Sequence, residues 1–392
     1  LIFKAFFVFF TKFSCFVARC LAGLFLSVAA TVAVAQTPPA PVLNAKAWFL
    51  LDMSSGQVLA AQAPAERVEP ASLTKLMTAY LTFSALKAKT ITLEQTVPVS
   101  EKAWKAIGSR MFIEPKKPVT VAELIRGMIV QSGNDACIAL AELISGSEEA
   151  FAAAMNREAA RLGMKNTGFR NSTGLPDPQH YSTAQDLAVL ATAIIRDFPE
   201  FYSLYSLKEY SYNNITQANR NRLLWMDPNV DGMKTGFTDA AGYCLIASAK
   251  RGPRRLLSVV LGAQSETARA TESQKLLNYG FLNFDAVRLY EKGQGVATLE
   301  VWKGSVREVK AGFDRDLFVS VPRGQGERVK ATLTSQKPLL APVAQNQKVG
   351  SMQLSVDGRE IAVLPVLALE GVGTAGVFGR AMDTVRLWFA KN

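Results

Sequence analysis

Hydrophobic positions along this chain change their period several times, and each change predicts a different kind of element. The stretch "AWFLLDMSSGQVLAAQ" reads as two strands around a turn at Ser55-Gly56. In "PASLTKLMTAYLTFSAL" the residues Leu73, Leu76, Met77, Tyr80 and Leu81 recur at helical spacing. "TVAELIRGMIVQSGNDACIALAELISGS" gives a helix, a break at Ser132-Gly133-Asn134 and a second helix. "VDGMKTGFTDAAGYCLIASAKRGPRRLLSVVLGA" then reads as a turn and two or three core strands. Helices packed on an antiparallel sheet, an α+β arrangement, follow for residues 43–288.

From 289 the pattern turns β-rich. "VATLEVWKG", "DLFVSVPRG", "RVKATLTS" and "SMQLSVDGREIAVLPVLAL" are short alternating runs, and Asp357-Gly358 between two of them signals a hairpin. A small all-β domain, a sandwich, is expected over 289–372. The last segment, 373–392, returns to helical spacing: Phe378, Ala381, Met382, Val385, Trp388 and Phe389 fall on one side, with Arg380, Asp383, Arg386 and Lys391 elsewhere. Such an amphipathic helix with terminal aromatics can lie in a membrane interface, and it is too short and too charged to span. The competing reading is a helix docked on its own protein.

The first 35 residues belong to neither domain. They carry Lys4, Lys12 and Arg19 and no acid, and end in Ala33-Val34-Ala35, a small-x-small cleavage pattern. A secretory signal is expected there, with an uncleaved membrane anchor as the alternative, followed by an exposed linker at 36–42. Removing those three cations lowers the formal net charge from +11 to +8, which suits work beside an anionic membrane or wall. Scattered basic residues and export argue against nucleic acid.

Composition also removes common chemistries. Of the four cysteines only Cys137 and Cys244 lie beyond residue 35, so no disulfide scaffold and no metal-ligand spacing is available, although those two could pair. The single histidine, His180, sits in the Pro-rich "GLPDPQHYS", a poor basis for a Ser-His-Asp arrangement. Asp186 in "STAQDLAVL" reads as a helix cap or brace. No cofactor is implied.

Three short motifs stand in order: Ser72-Leu73-Thr74-Lys75, Ser132-Gly133-Asn134 and Lys234-Thr235-Gly236. Any of them alone occurs by chance. Together, each at a break between regular elements, they match the signature of penicillin-recognising serine enzymes. With "EPASLTKLMTAY", "VQSGNDACIALAE" and "NVDGMKTGFTDAAGYCLIASA", the chain resembles the exported D-alanyl-D-alanine carboxypeptidases, low-molecular-mass penicillin-binding proteins, over nearly all of its length after residue 35.

That resemblance implies a β-lactamase/DD-peptidase-like catalytic domain, a β-rich second domain, and a C-terminal anchor holding the protein to the outer face of the cytoplasmic membrane, in the periplasm. It implies that Ser72 attacks the carbonyl between two terminal D-alanines of a peptidoglycan stem peptide, with Lys75 as base. A lysine can serve only if burial or a nearby cation makes it neutral. Ser132 would relay a proton and Asn134 would bond the substrate amide. Lys234 and Thr235 would attract the terminal carboxylate, Gly236 would admit the substrate strand, and the N–H groups of Ser72 and Phe237 would form the oxyanion hole. Arg220 and Arg269 resemble further positions near the carboxylate. Some relatives carry His where this chain has Phe237. Absence of an E-x-x-L-N pattern between Asn134 and Lys234 argues against a serine β-lactamase and for inhibition by β-lactams. A catalytically idle envelope-binding protein is the remaining alternative, against which Ser72, Lys75 and Lys234 stand intact.

Overall fold

The computed structural model describes residues 39–390; the signal segment expected at 1–35 lies outside them. Five antiparallel strands form the central sheet: β1 (Ala47–Asp52), β2 (Gln57–Gln62), β3 (Val230–Thr238), β4 (Gly242–Arg251) and β5 (Arg254–Ala263). Their spatial order is β2-β1-β5-β4-β3, so the strand carrying Lys234-Thr235-Gly236 is an edge strand.

Both faces of this sheet are buried, and the two-residue period of the strands sorts side chains between two cores. Ala47, Phe49, Cys244, Ile246, Leu257, Val259 and Leu261 join a large core shared with helices. Their neighbours Trp48, Leu50, Leu245, Ala247, Leu256 and Val260 join a second one, beneath a helix at Glu266–Asn283. The alternation expected in "YCLIASA" is therefore a choice between two apolar layers rather than between core and water.

The helical layer over the first face includes α1 (Lys75–Lys87), α2 (Val121–Val130), α3 (Asn134–Ser145), α4 (Glu148–Leu162) and α5 (Ala184–Asp197). Local chemistry starts several of them. Thr120 and Glu123 close a capping box on α2, while Ser147 and Thr183 cap α4 and α5. Asp186 braces as read from the sequence: its carboxylate accepts from the Asn166 N–H at 2.8 Å and the Thr167 hydroxyl at 2.7 Å.

The β-rich part places a six-stranded sheet and the pair Phe284–Tyr290 with Leu317–Pro322 around one apolar core. The Asp357-Gly358 hairpin forms, with Val356 opposite Arg359. A C-terminal helix spans Val377–Ala390. Its Asp383 carboxylate accepts from the Lys303 N–H at 2.7 Å, so one side is tied to the β-rich part. The other presents Phe378, 94% exposed, with Met382, Val385, Trp388 and Phe389. Among the described residues no helix is long and apolar enough to cross a membrane.

A buried ion pair ties the β1–β2 hairpin to the β-rich part. Asp52 is fully buried and accepts from Arg254 Nε at 2.7 Å and from the Ser320 hydroxyl at 2.7 Å. Arg254 also donates to the Phe284 carbonyl at 2.6 Å. Removing one partner of such a pair strands the other, so Asp52→Ala should lower unfolding stability by about 3–5 kcal/mol in denaturant titration. A loss below about 1 kcal/mol would show that the junction does not rely on it.

Candidate active site

Ser72 lies on a short 3-10 turn, Ala71–Thr74, and Lys75 is the first residue of α1. Three residues of helical rotation place their side chains together: Lys75 Nζ donates to Ser72 Oγ at 2.9 Å. Ser72 is partly exposed, whereas Lys75 is 1% exposed. Its amine also donates to the Thr173 carbonyl at 2.6 Å. A neutral amine has two N–H groups and one lone pair. With one N–H committed to Thr173, the amine is oriented toward the serine, which it can approach with either remaining function.

Burial is the main reason the Lys75 amine holds its proton weakly. It is pushed down to about 8; the Arg220 charge acts in the same direction, and Cys137 and Asp135 oppose it. Lys234 Nζ donates to Ser132 Oγ at 3.0 Å and to the Thr235 carbonyl at 3.1 Å. It too is driven well below the ordinary lysine range, first by burial and then by the charges of Lys75 and Arg220. Two Lys–Ser pairs thus meet in one pocket.

The backbone around both serines is bent into the left-handed region. Ala71, the first residue of the turn that carries Ser72, has φ +49°, and Ser132 itself has φ +60°. Non-glycine residues hold such angles only where the surroundings enforce them. Around Ser72 two glycines let the neighbouring segments pack closely enough against Ala71 to hold it. A Cβ on Gly174, whose φ is +85°, would stand 1.8 Å from the Ala71 carbonyl oxygen. On the opposite side a Cβ on Gly236 would meet the Pro70 carbonyl oxygen at 3.0 Å and Ala71 Cβ at 3.3 Å. The space that Gly236 leaves open is therefore filled by the Ser72 turn, a packing need distinct from the admission of substrate read from the sequence.

Asn134 begins α3, and its Nδ2 donates to the Ile107 carbonyl at 2.7 Å. The next residue, Asp135, is fully buried and accepts the N–H groups of Met111, Phe112 and Ile113 at 3.0, 2.7 and 3.2 Å. It holds the loop that forms one wall of the site. Ser72, Ser132, Asn134, Thr235, Gly236, Phe237, Arg220 and Arg269 all line a cleft of about 330 Å³, with Gly108, Ser109 and Thr173.

The two arginines differ. Arg220 is exposed at the mouth. Arg269 is 3% exposed and donates to the carbonyls of Gly236 at 3.4 Å and Arg220 at 3.3 Å, bracing the strand and the loop that flank the cleft. Among the described residues that line the cleft the one carboxylate, Glu266, is paired with Arg222 at 3.3 Å and Arg269 at 3.6 Å. His180 is buried away from the cleft mouth, within hydrogen-bond distance of Thr74 Oγ1 at 2.8 Å, and burial pushes it down to about 4. It supports the nucleophile turn from below. Cys137 and Cys244 are both free and buried, so the pairing left open by the sequence is absent. Burial pushes the Cys137 thiol up to about 12. Among the described residues no cluster could hold a metal ion.

Sequence reasoning missed three contributors: Thr173 through its carbonyl, Gly174 through its lack of a side chain, and Asp135. Only Asp135, a carboxylate following Asn134 at a helix start, offered a signal.

Comparison with known proteins places the chain in a family. The sequence model of the D-alanyl-D-alanine carboxypeptidase family matches residues 33–265, and that of the penicillin-binding protein 5 C-terminal domain matches 284–374. The D-alanyl-D-alanine carboxypeptidase DacC of Escherichia coli (strain K12) is 45% identical over 377 residues, covering 94% of each chain. The crystal structure of penicillin binding protein 5 from Haemophilus influenzae superposes with a TM-score of 0.81 at 42% identity, covering 86% of this chain and 99% of that one. Penicillin-binding protein D2 from Listeria monocytogenes, solved in the ampicillin-bound form, gives a TM-score of 0.57 at 31% identity over 62% of this chain and 99% of its own. A serine and a buried lysine at hydrogen-bond distance, the edge strand beside them and these matches make this chain a member of the D-alanyl-D-alanine carboxypeptidase family, a serine-type hydrolase.

Proposed function

We propose that Ser72 attacks the carbonyl between the two terminal D-alanines of a peptidoglycan stem peptide, and that the 2.9 Å contact from Lys75 to Ser72 carries the reading. Lys75 in its neutral form takes the serine proton as the hydroxyl oxygen adds to the carbonyl carbon. The tetrahedral oxyanion is met by the N–H groups of Ser72 and Phe237. Its collapse expels D-alanine, whose nitrogen receives a proton through Ser132, and water then releases the shortened peptide from Ser72.

The terminal carboxylate of the substrate belongs beside Lys234, Thr235 and Arg220. Its charge stabilises the cationic form of Lys234, and that cation in turn disfavours a second proton on Lys75. Substrate binding thereby prepares the base. Asn134 bonds the substrate amide, and Arg269 acts by holding Gly236 and Arg220 in place.

β-Lactams enter the same cleft, a reading supported by the ampicillin-bound form of the Listeria relative. Among the described residues the carboxylate on the cleft wall, Glu266, is already paired to arginines, which leaves no ready base there for the second hydrolysis and supports a persistent penicilloyl-enzyme. The working division is a catalytic domain from 43, a β-domain to 372 and an anchoring helix at 373–392, with the boundary read from the sequence at 288/289 placed a few residues earlier so that the strand Phe284–Tyr290 stays with its partner Leu317–Pro322. The helix rests in the outer leaflet of the cytoplasmic membrane on its exposed Phe378, Val385, Trp388 and Phe389, which supports a periplasmic, peripheral location.

Purified protein from residue 36 onward should release D-alanine from a pentapeptide ending in D-Ala-D-Ala and be labelled stably by a fluorescent penicillin. Ser72→Ala should abolish both, and Lys75→Met should lower acylation by at least about 10³-fold. Rapid turnover of the label would mark a β-lactamase, and no labelling would mark a binding protein.

The pH dependence follows from the depressed Lys75. Its neutral form is the base, so the penicillin acylation rate should rise about ten-fold per pH unit below about pH 8 and level off above it, measured by stopped-flow labelling. A flat profile between pH 6 and 8 would contradict the assignment.

With vesicles of anionic lipid, the chain from residue 36 onward should co-sediment, and one ending at 374 should stay in the supernatant. Equal partition of the two would remove the anchoring role.

A further inference from the structure

The loop held by Asp135 has two sides. Gly108 and Ser109 face the catalytic cleft, while Arg110 and Phe112 face a second hollow of about 560 Å³ lined with Trp104, Ile113, Glu114 and Pro115. Phe112 is exposed, yet its backbone sits at φ +70°, an unfavourable angle for an aromatic residue. Three N–H bonds to the buried Asp135 enforce it. The chain thus pins an exposed ring in a strained position through the residue next to Asn134.

Arg110 is the one cation among the residues that line this hollow. The Arg110 guanidinium lies 5.1 Å from the centre of the Phe112 ring. Among the described residues no carboxylate lies within ion-pair distance of it. Glu114 in the same hollow is already engaged, by Lys117 at 2.8 Å and Asn213 Nδ2 at 2.8 Å. Trp104, which is exposed, completes an apolar floor with Phe112 and Pro115. A cation without a partner above an apolar floor fits an aliphatic segment ending in a carboxylate.

We infer that Arg110, Phe112 and Trp104 form a subsite for the acidic part of the stem peptide upstream of the scissile bond. The inference rests on the carboxypeptidase reading of the cleft. The loop that forms the cleft wall is the one that presents the subsite, and each extended residue upstream of the scissile bond adds about 3.3–3.6 Å of reach along it. Arg110 is then a specificity residue, acting on which peptides are held and not on bond breaking.

The test uses two soluble peptides ending in D-Ala-D-Ala and differing only upstream, one with a free side-chain carboxylate and one with that group amidated. Wild-type enzyme should favour the acid by about ten-fold in kcat/KM at low salt, and the preference should fade as salt is added. Arg110→Gln should bring the ratio close to one, while Arg110→Lys should keep part of it. Penicillin labelling of each variant reports whether it is folded. A wild-type ratio near one, or equal losses on both peptides in Arg110→Gln, would overturn the subsite and leave the carboxypeptidase reading standing. Failure of wild type to release D-alanine from either peptide would overturn that reading and the subsite with it.

Discussion

An amine kept out of water beside a hydroxyl is the constraint on which this structure turns. Lys75 lies under the nucleophile turn, walled by helices and the sheet, with the Thr173 carbonyl fixing its direction. The displacement from an ordinary lysine to about 8 corresponds to about 3 kcal/mol of stability forgone at neutral pH. The sign follows from linkage. The unfolded chain holds this proton more tightly, so the penalty is present in full below about pH 8 and is relieved between there and about pH 10.4. The large apolar core around α1 offsets the loss and is also its cause, since the same packing excludes water from the amine.

Lys234 shares that constraint. Two buried lysines within reach of each other's field make the pocket reluctant to hold two protons, and the pocket is therefore receptive to an anion. The β3 edge position matters here. Because β3 has a sheet neighbour on one side only, the free side can stand beside the turn that carries Ser72. Arg269 secures this edge from behind by occupying the carbonyls of Gly236 and Arg220.

Much of this was legible in the chain, for identifiable reasons. Ser72 and Lys75 are three apart on one helical run, so their meeting is a local fact. The fold class followed from periods of two and 3.6, and the Asp357-Gly358 hairpin from its turn chemistry. The meeting of Lys234 with Ser132, 102 residues apart, was accessible through the joint motif pattern. What stayed hidden works through the backbone. The Thr173 carbonyl reaches Lys75 across 98 residues, and any residue type supplies a carbonyl. Arg269 reads as a surface arginine because only the folded chain shows which carbonyls it faces. Alternation in β4 and β5 hid its meaning too, since two apolar layers look alike in sequence.

The vice that Gly174 and Gly236 close on Ala71 has a further consequence. The surroundings of Ser72 have no slack on either flank. Any bulk added at either glycine is transmitted straight to the turn that carries Ser72. Adaptation is thereby steered outward, to the rim where ligands enter, and away from the residue they modify.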